Sequence, residues 1–445
     1  MANITTGLQA SGTDFIGLDP AMKVIFEEPL TDNIVADSEM LDCWEQDLAV
    51  PVMETDGGRY IDLAHYFQLP GAVGARLEND YMPEATPPKF DNSQIYLKTN
   101  YAVIQMSGTA YRRAKQGPGA FISWADRALP DVVRRMTDNI DRQLVGTGQG
   151  ILARVTDASP STTVTLGSAY GVSGLTNAYL LFQPGMQVRY SPNADASSPR
   201  ALVATVNSYA PTGTAGTLTI SQLPTSAAQN DYIFPGDANA TSGLDGGTLP
   251  KELMGLLGIV DDGTVLTTFQ GLLRSTYPNQ WACISIDSST GGYGSVLSEE
   301  LLMQADQDTY QIGNGRPDTL ICSRSAWRSF WKTLKGDRMY TRGPTDDMNY
   351  IGGAKRLTVD LGDRTLEFRP SRKVPPQVAF GIERASLKRW HNAGFFWDDT
   401  TGSIWNRVTD GTGRKDAYYA VGAICMQTGC IAPSHNFLLK NLAAA

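Results

Sequence analysis

Residues 61–67 read Ile-Asp-Leu-Ala-His-Tyr-Phe, and residues 94–106 read Gln-Ile-Tyr-Leu-Lys-Thr-Asn-Tyr-Ala-Val-Ile-Gln-Met. In the first stretch Ile61, Leu63, His65 and Phe67 alternate with Asp62, Ala64 and Tyr66, the period of a strand with one buried face. The second is β-rich throughout. As a single strand it would be about 43 Å long, roughly twice the usual length. Between them lies Gln68 to Asn92, rich in Pro and Gly, with Arg76, Glu78, Asp80, Glu84 and Lys89 along it. A connection of that length without regular structure is unusual inside a compact domain. Over-long strands joined by a polar tip predict a hairpin that protrudes. Because an isolated hairpin is marginal in water, its support is expected from outside its own domain. A plain surface loop is the competing reading.

Working outward, residues 1–48 read as an arm with few core signals, acidic at Glu27-Glu28 and from Asp37 to Asp47. Residues 49–115 hold the extended hairpin loop. Residues 116–156 begin with the strongest helical pattern in the chain. Ser123 and Asp126 have capping-box spacing. Behind them Trp124, Ala125, Ala128, Leu129, Val132, Val133, Met136, Ile140 and Leu144 recur every three or four residues up to Gly146. Such a helix spans about 35 Å, and Pro130 predicts a kink or a true start at that point.

Composition then shifts. No Lys occurs between Lys115 and Lys251, and between Ala158 and Asn230 only Arg189, Asp195 and Arg200 are charged. Short alternating runs at Met186–Tyr190, Val203–Thr205, Leu218–Ile220 and Tyr232–Phe234, with Gly, Pro and Ser between them, predict a small inserted β-barrel or sandwich over 157–240. Both structure types resume afterwards. Helices are expected after Ser298 and around Ala326 to Leu334, ending at Gly336. Strands are expected at Thr319–Ser323, Leu357–Asp360, Leu366–Arg369, Val378–Ile382 and Tyr418–Cys430. The class is α+β.

Composition also limits function. With 37 basic and 46 acidic residues the formal charge is −9, which does not suit a chain gripping nucleic acid over its whole surface. The charged fraction of 19% falls below the ~25% of ordinary soluble proteins, as suits a molecule that hides much of its outside in contacts. Cys43, Cys283, Cys322, Cys425 and Cys430 are odd in number and scattered, so no disulfide framework is expected. No apolar run approaches a membrane span, and the start lacks the pattern of a secretion signal.

Little in the sequence points to catalysis. His65, His391 and His435 are the only histidines, and none sits at metal-ligand spacing from another candidate ligand. His65 lies on the apolar face of its strand and reads as a packed histidine. Gly146 to Gly150 follows a helix instead of a strand, so it reads as a helix stop and not a dinucleotide loop. The pairs Asp261-Asp262, Asp346-Asp347 and Asp398-Asp399 read as surface turns, since paired carboxylates alone specify little. Arg112, Arg113 and Lys115 could contact nucleic acid or pair with acidic residues of a neighbouring copy. No enzyme activity, cofactor or metal is expected.

The order of arm, long hairpin, long helix, inserted β-domain, α/β part and late strands resembles the major capsid proteins of tailed bacteriophages, with the Hong Kong 97-type fold. Ala75 to Ala85, with Arg76, Glu78 and Pro83, looks like the signature at the start of that family's extended loop. Phe269-Gln270-Gly271-Leu272-Leu273-Arg274-Ser275 followed by Trp281 is similar to a segment of its axial domain. Arg389-Trp390 and Phe396-Trp397, before Tyr418 to Pro433, look like the closing strands of its peripheral domain.

The resemblance implies a spine helix at Phe121–Gly146 and an axial domain over about 241–345. Residues 346–445 would complete the axial domain and close the peripheral one. It implies hexamers and pentamers of one chain in a virion shell around double-stranded DNA, held without sequence-specific binding and assembled in the host cytoplasm. Scaffolding, portal and decoration proteins are its further partners; the arm's lack of a long helical leader implies a separate scaffolding protein or none, and little or no removal of the N-terminus. Arg76, Glu78, Glu84, Lys89, Arg112 and Arg113 become the expected intersubunit contacts. Lys89 and Lys98 have no positioned partner for the Lys–Asn crosslink of some members. An encapsulin-type compartment shell is the alternative within the fold, and a β-rich carbohydrate-binding or hydrolytic protein the alternative outside it.

Overall fold

A computed structural model describes residues 40, 60–71, 73–82, 84–109, 124–211, 216–236, 244–245, 249–290, 295–333, 358–361, 364–399, 404–410 and 413–443. The arm apart from Met40, the basic residues Arg112, Arg113 and Lys115, the cap residue Ser123, Gly336 and the Asp346-Asp347 pair lie outside the described residues. Among the described residues, those of 99–140 and 392–425 form one compact unit. Those of 39–98, 141–391 and 426–445 form a second.

The second unit opens with strand β1 (Ile61–Gln68), paired antiparallel with β2 (Lys89–Ile95) from Ile61 opposite Ile95 to Gln68 opposite Lys89. The expected long strand over 94–106 is two strands. Strand β3 (Lys98–Ser107) begins after a break at Tyr96-Leu97 and joins a different sheet. The side-chain faces explain the division. Ile95, Ile104 and Met106 are all buried, yet an uninterrupted strand would put odd and even positions on opposite faces.

Helix α1 (Trp124–Val145) has Pro130 inside it, so the proline is not its start. Its last turn lies in the second unit, with Asp141 to Val145 all buried. There Arg142 is ion-paired to Glu252 at 2.6 Å, and Gln143 Oε1 accepts the Leu253 amide at 3.1 Å. Gly255 crosses this helix end so closely that a Cβ would collide with the Gln143 carbonyl and the Gly146 backbone.

Six short strands follow: β4 (Ala153–Arg154), β5 (Thr163–Thr165), β6 (Gln187–Ser191), β7 (Ala204–Ala210), β8 (Thr217–Ile220) and β9 (Tyr232–Pro235). They pair in the order β4-β9-β6-β7-β8-β5. The two ends meet, because Val155 bridges to Leu166 and the Gly167 amide donates to the Arg154 carbonyl at 2.7 Å. The sheet is therefore a closed small barrel with no free edge. Val164, Val188, Tyr190, Val206, Leu218, Ile220, Ile233 and Phe234 are all buried. Such an interior is a packed core.

After the two-residue strands β10 (Leu244–Asp245) and β11 (Leu249–Pro250), strands β12 (Thr268–Phe269) and β13 (Leu272–Leu273) form a tight hairpin. Next come β14 (Ile284–Asp287), α2 (Glu299–Gly313), β15 (Thr319–Ser323), α3 (Arg324–Thr333), β16 (Thr358–Asp360), β17 (Thr365–Ser371) and β18 (Ala379–Ile382). With β22 (Phe437–Lys440) the strands form a mixed sheet in the order β14-β22-β18-β15-β17-β16. The α2 cap is as expected, with Ser298 Oγ accepting the Leu301 amide. Leu301, Leu302 and Ala305 of α2 and Ala326 and Phe330 of α3 pack with Leu320, Cys322, Phe368, Phe437 and Leu439 of the sheet. In that sheet Gly381 lies opposite Phe437, and only glycine leaves room for the ring.

The first unit holds most of β3 together with β20 (Asn406–Asp410) and the parts of β19 (Leu387–Trp397) and β21 (Gly413–Cys430) within 392–425. The long β21 pairs with β19, β20 and β3. Gly422 lies where a Cβ would strike the Phe395 ring, and that ring meets Trp397 edge-on at 5.1 Å.

Candidate intersubunit surface

The β1–β2 hairpin has one face on its own chain. Alternation puts Ile61, Leu63, His65 and Phe67 of β1 and Asp91, Ser93 and Ile95 of β2 on that side. Phe67 stacks on Tyr277 with ring centroids 3.8 Å apart and planes 8° from parallel. His65 meets Trp281 at 4.7 Å, and its Nε2 lies 2.8 Å from Ser93 Oγ. The Tyr277 hydroxyl donates to Asp91 at 3.1 Å, and the Gln94 amide donates to the Gln270 carbonyl at 2.8 Å. The hairpin thus has the partner beyond itself that its length called for, and at its base that partner is a later segment of the same compact unit. Its base is fastened by its own chain, because the inward residues found aromatic partners about two hundred positions later.

Those partners are rigid. Gln270 and Gly271 both have positive φ, 49° and 83°, the pair of left-handed residues that a two-residue turn of the twist-matched kind requires. Behind them Arg274 is buried and donates to five backbone carbonyls: Gly258, Ile259, Asp261, Leu266 and Trp281. Its guanidinium lies 4.9 Å from the Phe269 ring centroid, and Trp281 Nε1 donates to the Phe269 carbonyl.

Asp261 is not part of a surface turn. It is fully buried, and its carboxylate accepts the amides of Gly263, Val265 and Leu266. Burial pushes that carboxyl upward, against the amides and Arg274. Asp262 does face outward and pairs with Lys440 at 2.8 Å. Burial likewise holds His65 below the ordinary imidazole value, with Asp91 pulling the other way.

Beyond the fastened base the loop is bare. The Gly71–Thr86 bridge closes its neck, and a turn from Leu77 to Asp80, with Asn79 at φ 68°, forms part of its tip. Leu69, Val73, Leu77, Tyr81 and Met82 are 74%, 99%, 84%, 91% and 87% exposed. On the outer face of the strands the Tyr66 and Phe90 rings lie in tilted contact, with centroids 4.7 Å apart, yet both stay exposed. Folded chains seldom leave so many large apolar groups on one element without a partner surface.

Among the expected contact residues, Arg76, Glu78 and Glu84 sit exposed on this loop. Lys89 is exposed as well, at the hairpin base, with its ammonium 4.6 Å from the Tyr277 ring centroid. Arg112 and Arg113 fall outside the described residues. Sequence reasoning named the charges and missed the apolar row, although Leu69, Val73, Leu77, Tyr81 and Met82 stand in the same Pro- and Gly-rich run where no core was available to them.

No family model matches the chain, and no curated protein matches it. Solved structures do. The chain is similar to one from the cyanophage A-1(L) capsid asymmetric unit, with a TM-score of 0.53 at 10% identity, over 96% of this chain and 99% of that one. The fold is the Hong Kong 97-type capsid fold. Looser likenesses are to the capsid of Myoviridae phage XM1 (TM-score 0.42, 9% identity, 95% and 97% covered) and the holo-SrpI encapsulin complex from Synechococcus elongatus PCC 7942 (0.40, 8%, 98% and 98%).

Proposed function

We propose that this chain is the major capsid protein of a tailed phage, a structural subunit that assembles with copies of itself into the shell of the head. The observation that carries the reading is the near end-to-end match to a capsid subunit fold in a chain whose extended hairpin leaves five large apolar side chains in solvent. In a shell those side chains lie against the next subunit. Arg76, Glu78 and Glu84 then form the polar rim of the contact, and Lys89, Arg112 and Arg113 serve as further contacts.

In this reading the unit with β3, β20 and the outer part of β21 belongs to the peripheral domain. The mixed sheet with α2 and α3 is the axial domain, near the centre of hexamers and pentamers. The barrel is an added domain on the outer face, available to a decoration protein. Scaffolding and portal proteins complete the partners. Double-stranded DNA is enclosed without sequence-specific contact, as suits a subunit of net charge −9. Assembly takes place in the host cytoplasm, and many modest interfaces repeated around a shell suffice to hold it.

Electron microscopy of the expressed protein tests this. Closed shells or capsomers are expected, and monodisperse monomers across salt, pH and concentration would overturn it. A cargo enzyme copurifying with the shells would redirect the reading to an encapsulin.

A further inference from the structure

The fastening of the hairpin has one titratable group at its centre. His65 points inward from β1 and is partly buried between Ser93 of β2 and the Trp281 ring, with Phe67 at 5.9 Å on its own strand. The other anchors named above, the Phe67–Tyr277 stack, the Tyr277–Asp91 hydrogen bond and the Gln94–Gln270 amide bond, involve an aromatic ring, a phenol, a carboxylate and amides, whose ordinary ionisations lie away from neutrality. We propose that His65 is a pH-operated latch, whose protonation loosens the β1–β2 hairpin from the Phe269–Trp281 segment of its own chain. The latch itself rests only on this packing; its use, letting the intersubunit loop shift as pH falls, rests on the capsid reading.

The charges around the ring set the direction. On β2, Asp91 favours the cation, but its Oδ2 is engaged by the Tyr277 hydroxyl. Lys89, at the same end of the base, sits over the Tyr277 ring. From the facing segment Arg274, beneath Phe269, adds a positive charge whose N–H groups are bound to carbonyls. On β1 itself Asp62 lies on the opposite, exposed face. Burial among Trp281 and Phe67 is the largest influence, and it disfavours the imidazolium.

The sign follows. Above about pH 6.5 the imidazole is neutral whether the hairpin is attached or released. Below it, the released hairpin takes up a proton that the attached one resists. Attachment therefore weakens as pH falls from about 6.5, and levels off once the attached form also protonates.

Hydrogen exchange of the full-length unassembled subunit, normalised for intrinsic rates between pH 5 and 8, reads the latch directly. Wild-type amides of β1 and β2 should lose protection below about pH 6.5, by no more than the tenfold per pH unit that one proton allows. In His65→Gln that dependence should vanish, while the pH response of the mixed sheet stays as in wild type. An equal fall in His65→Gln, or none in wild type, overturns the latch.

If the glutamine variant does not fold, carbon-13-labelled histidine NMR of the wild type decides. A His65 resonance titrating below 6.5 supports the latch, and one titrating at or above 6.5 overturns it. Both measurements use unassembled subunits, so a failure of shells to form would overturn the capsid reading and leave the latch standing.

Discussion

Arg142 Nη2 lies 2.6 Å from Glu252 Oε1, with side chains only 4% and 6% exposed, joining the last turn of α1 to a segment 110 residues later. A buried pair of this kind gains little over an apolar one, but breaking it strands a charge. Glu252→Ala should cost about 3–5 kcal/mol. The double change Arg142→Met with Glu252→Leu should recover most of that. Urea unfolding followed by circular dichroism measures both, and a double variant as weak as the single one would contradict the account.

The Phe67–Tyr277 stack has a definite worth. Parallel rings in contact contribute about 0.5–1.5 kcal/mol beyond their buried area. A double-mutant cycle with Phe67→Leu and Tyr277→Leu should return a coupling of that size, read as the opening free energy of β1 and β2 amides by hydrogen exchange. Additive single effects would show that the hairpin base is held by something else.

The bare loop should matter to assembly and not to folding. Val73→Ser, Leu77→Ser, Tyr81→Ser and Met82→Ser together remove apolar groups that are already in water, so subunit stability should move by less than about 0.5 kcal/mol per site. If the loop lies against a neighbour, each truncation removes apolar burial worth about 1 kcal/mol, and the concentration needed for assembly should rise at least about tenfold. Light scattering against concentration gives the answer. Unchanged assembly would remove the loop from the contact.

The sequence carried the elements whose period is long or whose ends are marked. Ser298 announced α2, the alternation Ile61 to Phe67 announced β1, and the charge-poor run announced the barrel. Strands β4 and β5, of two and three residues, are too short to show a period and exist because closure of the barrel pairs them. The break at Tyr96-Leu97 was written in the odd-to-even switch from Ile95 to Ile104, but uniform β-propensity across 94–106 concealed it. The aromatic partners of His65 and Phe67 lie about two hundred residues away, and no local pattern connects them. The buried role of Asp261 was hidden for the same reason, since an Asp-Asp-Gly run reads equally as an exposed turn.

The cysteines give a last test, of the core itself. Cys283, Cys322 and Cys430 are buried free thiols, and Cys425 is half-buried. Burial pushes the Cys430 thiol up to about 11 and Cys322 up to about 12, and it raises Cys283 as well. At pH 8 a thiol at about 11 is ionised in roughly one molecule per thousand, and the thiolate is the form that reacts. Native alkylation with iodoacetamide at pH 8 should therefore modify Cys425 first among these four. The other three should follow only when denaturant opens their cores, read by peptide mass spectrometry. Early labelling of Cys322 would be the most damaging result, because that thiol lies in the cluster where α2 and α3 meet the mixed sheet, and its reaction would mean that this core opens readily in the native subunit.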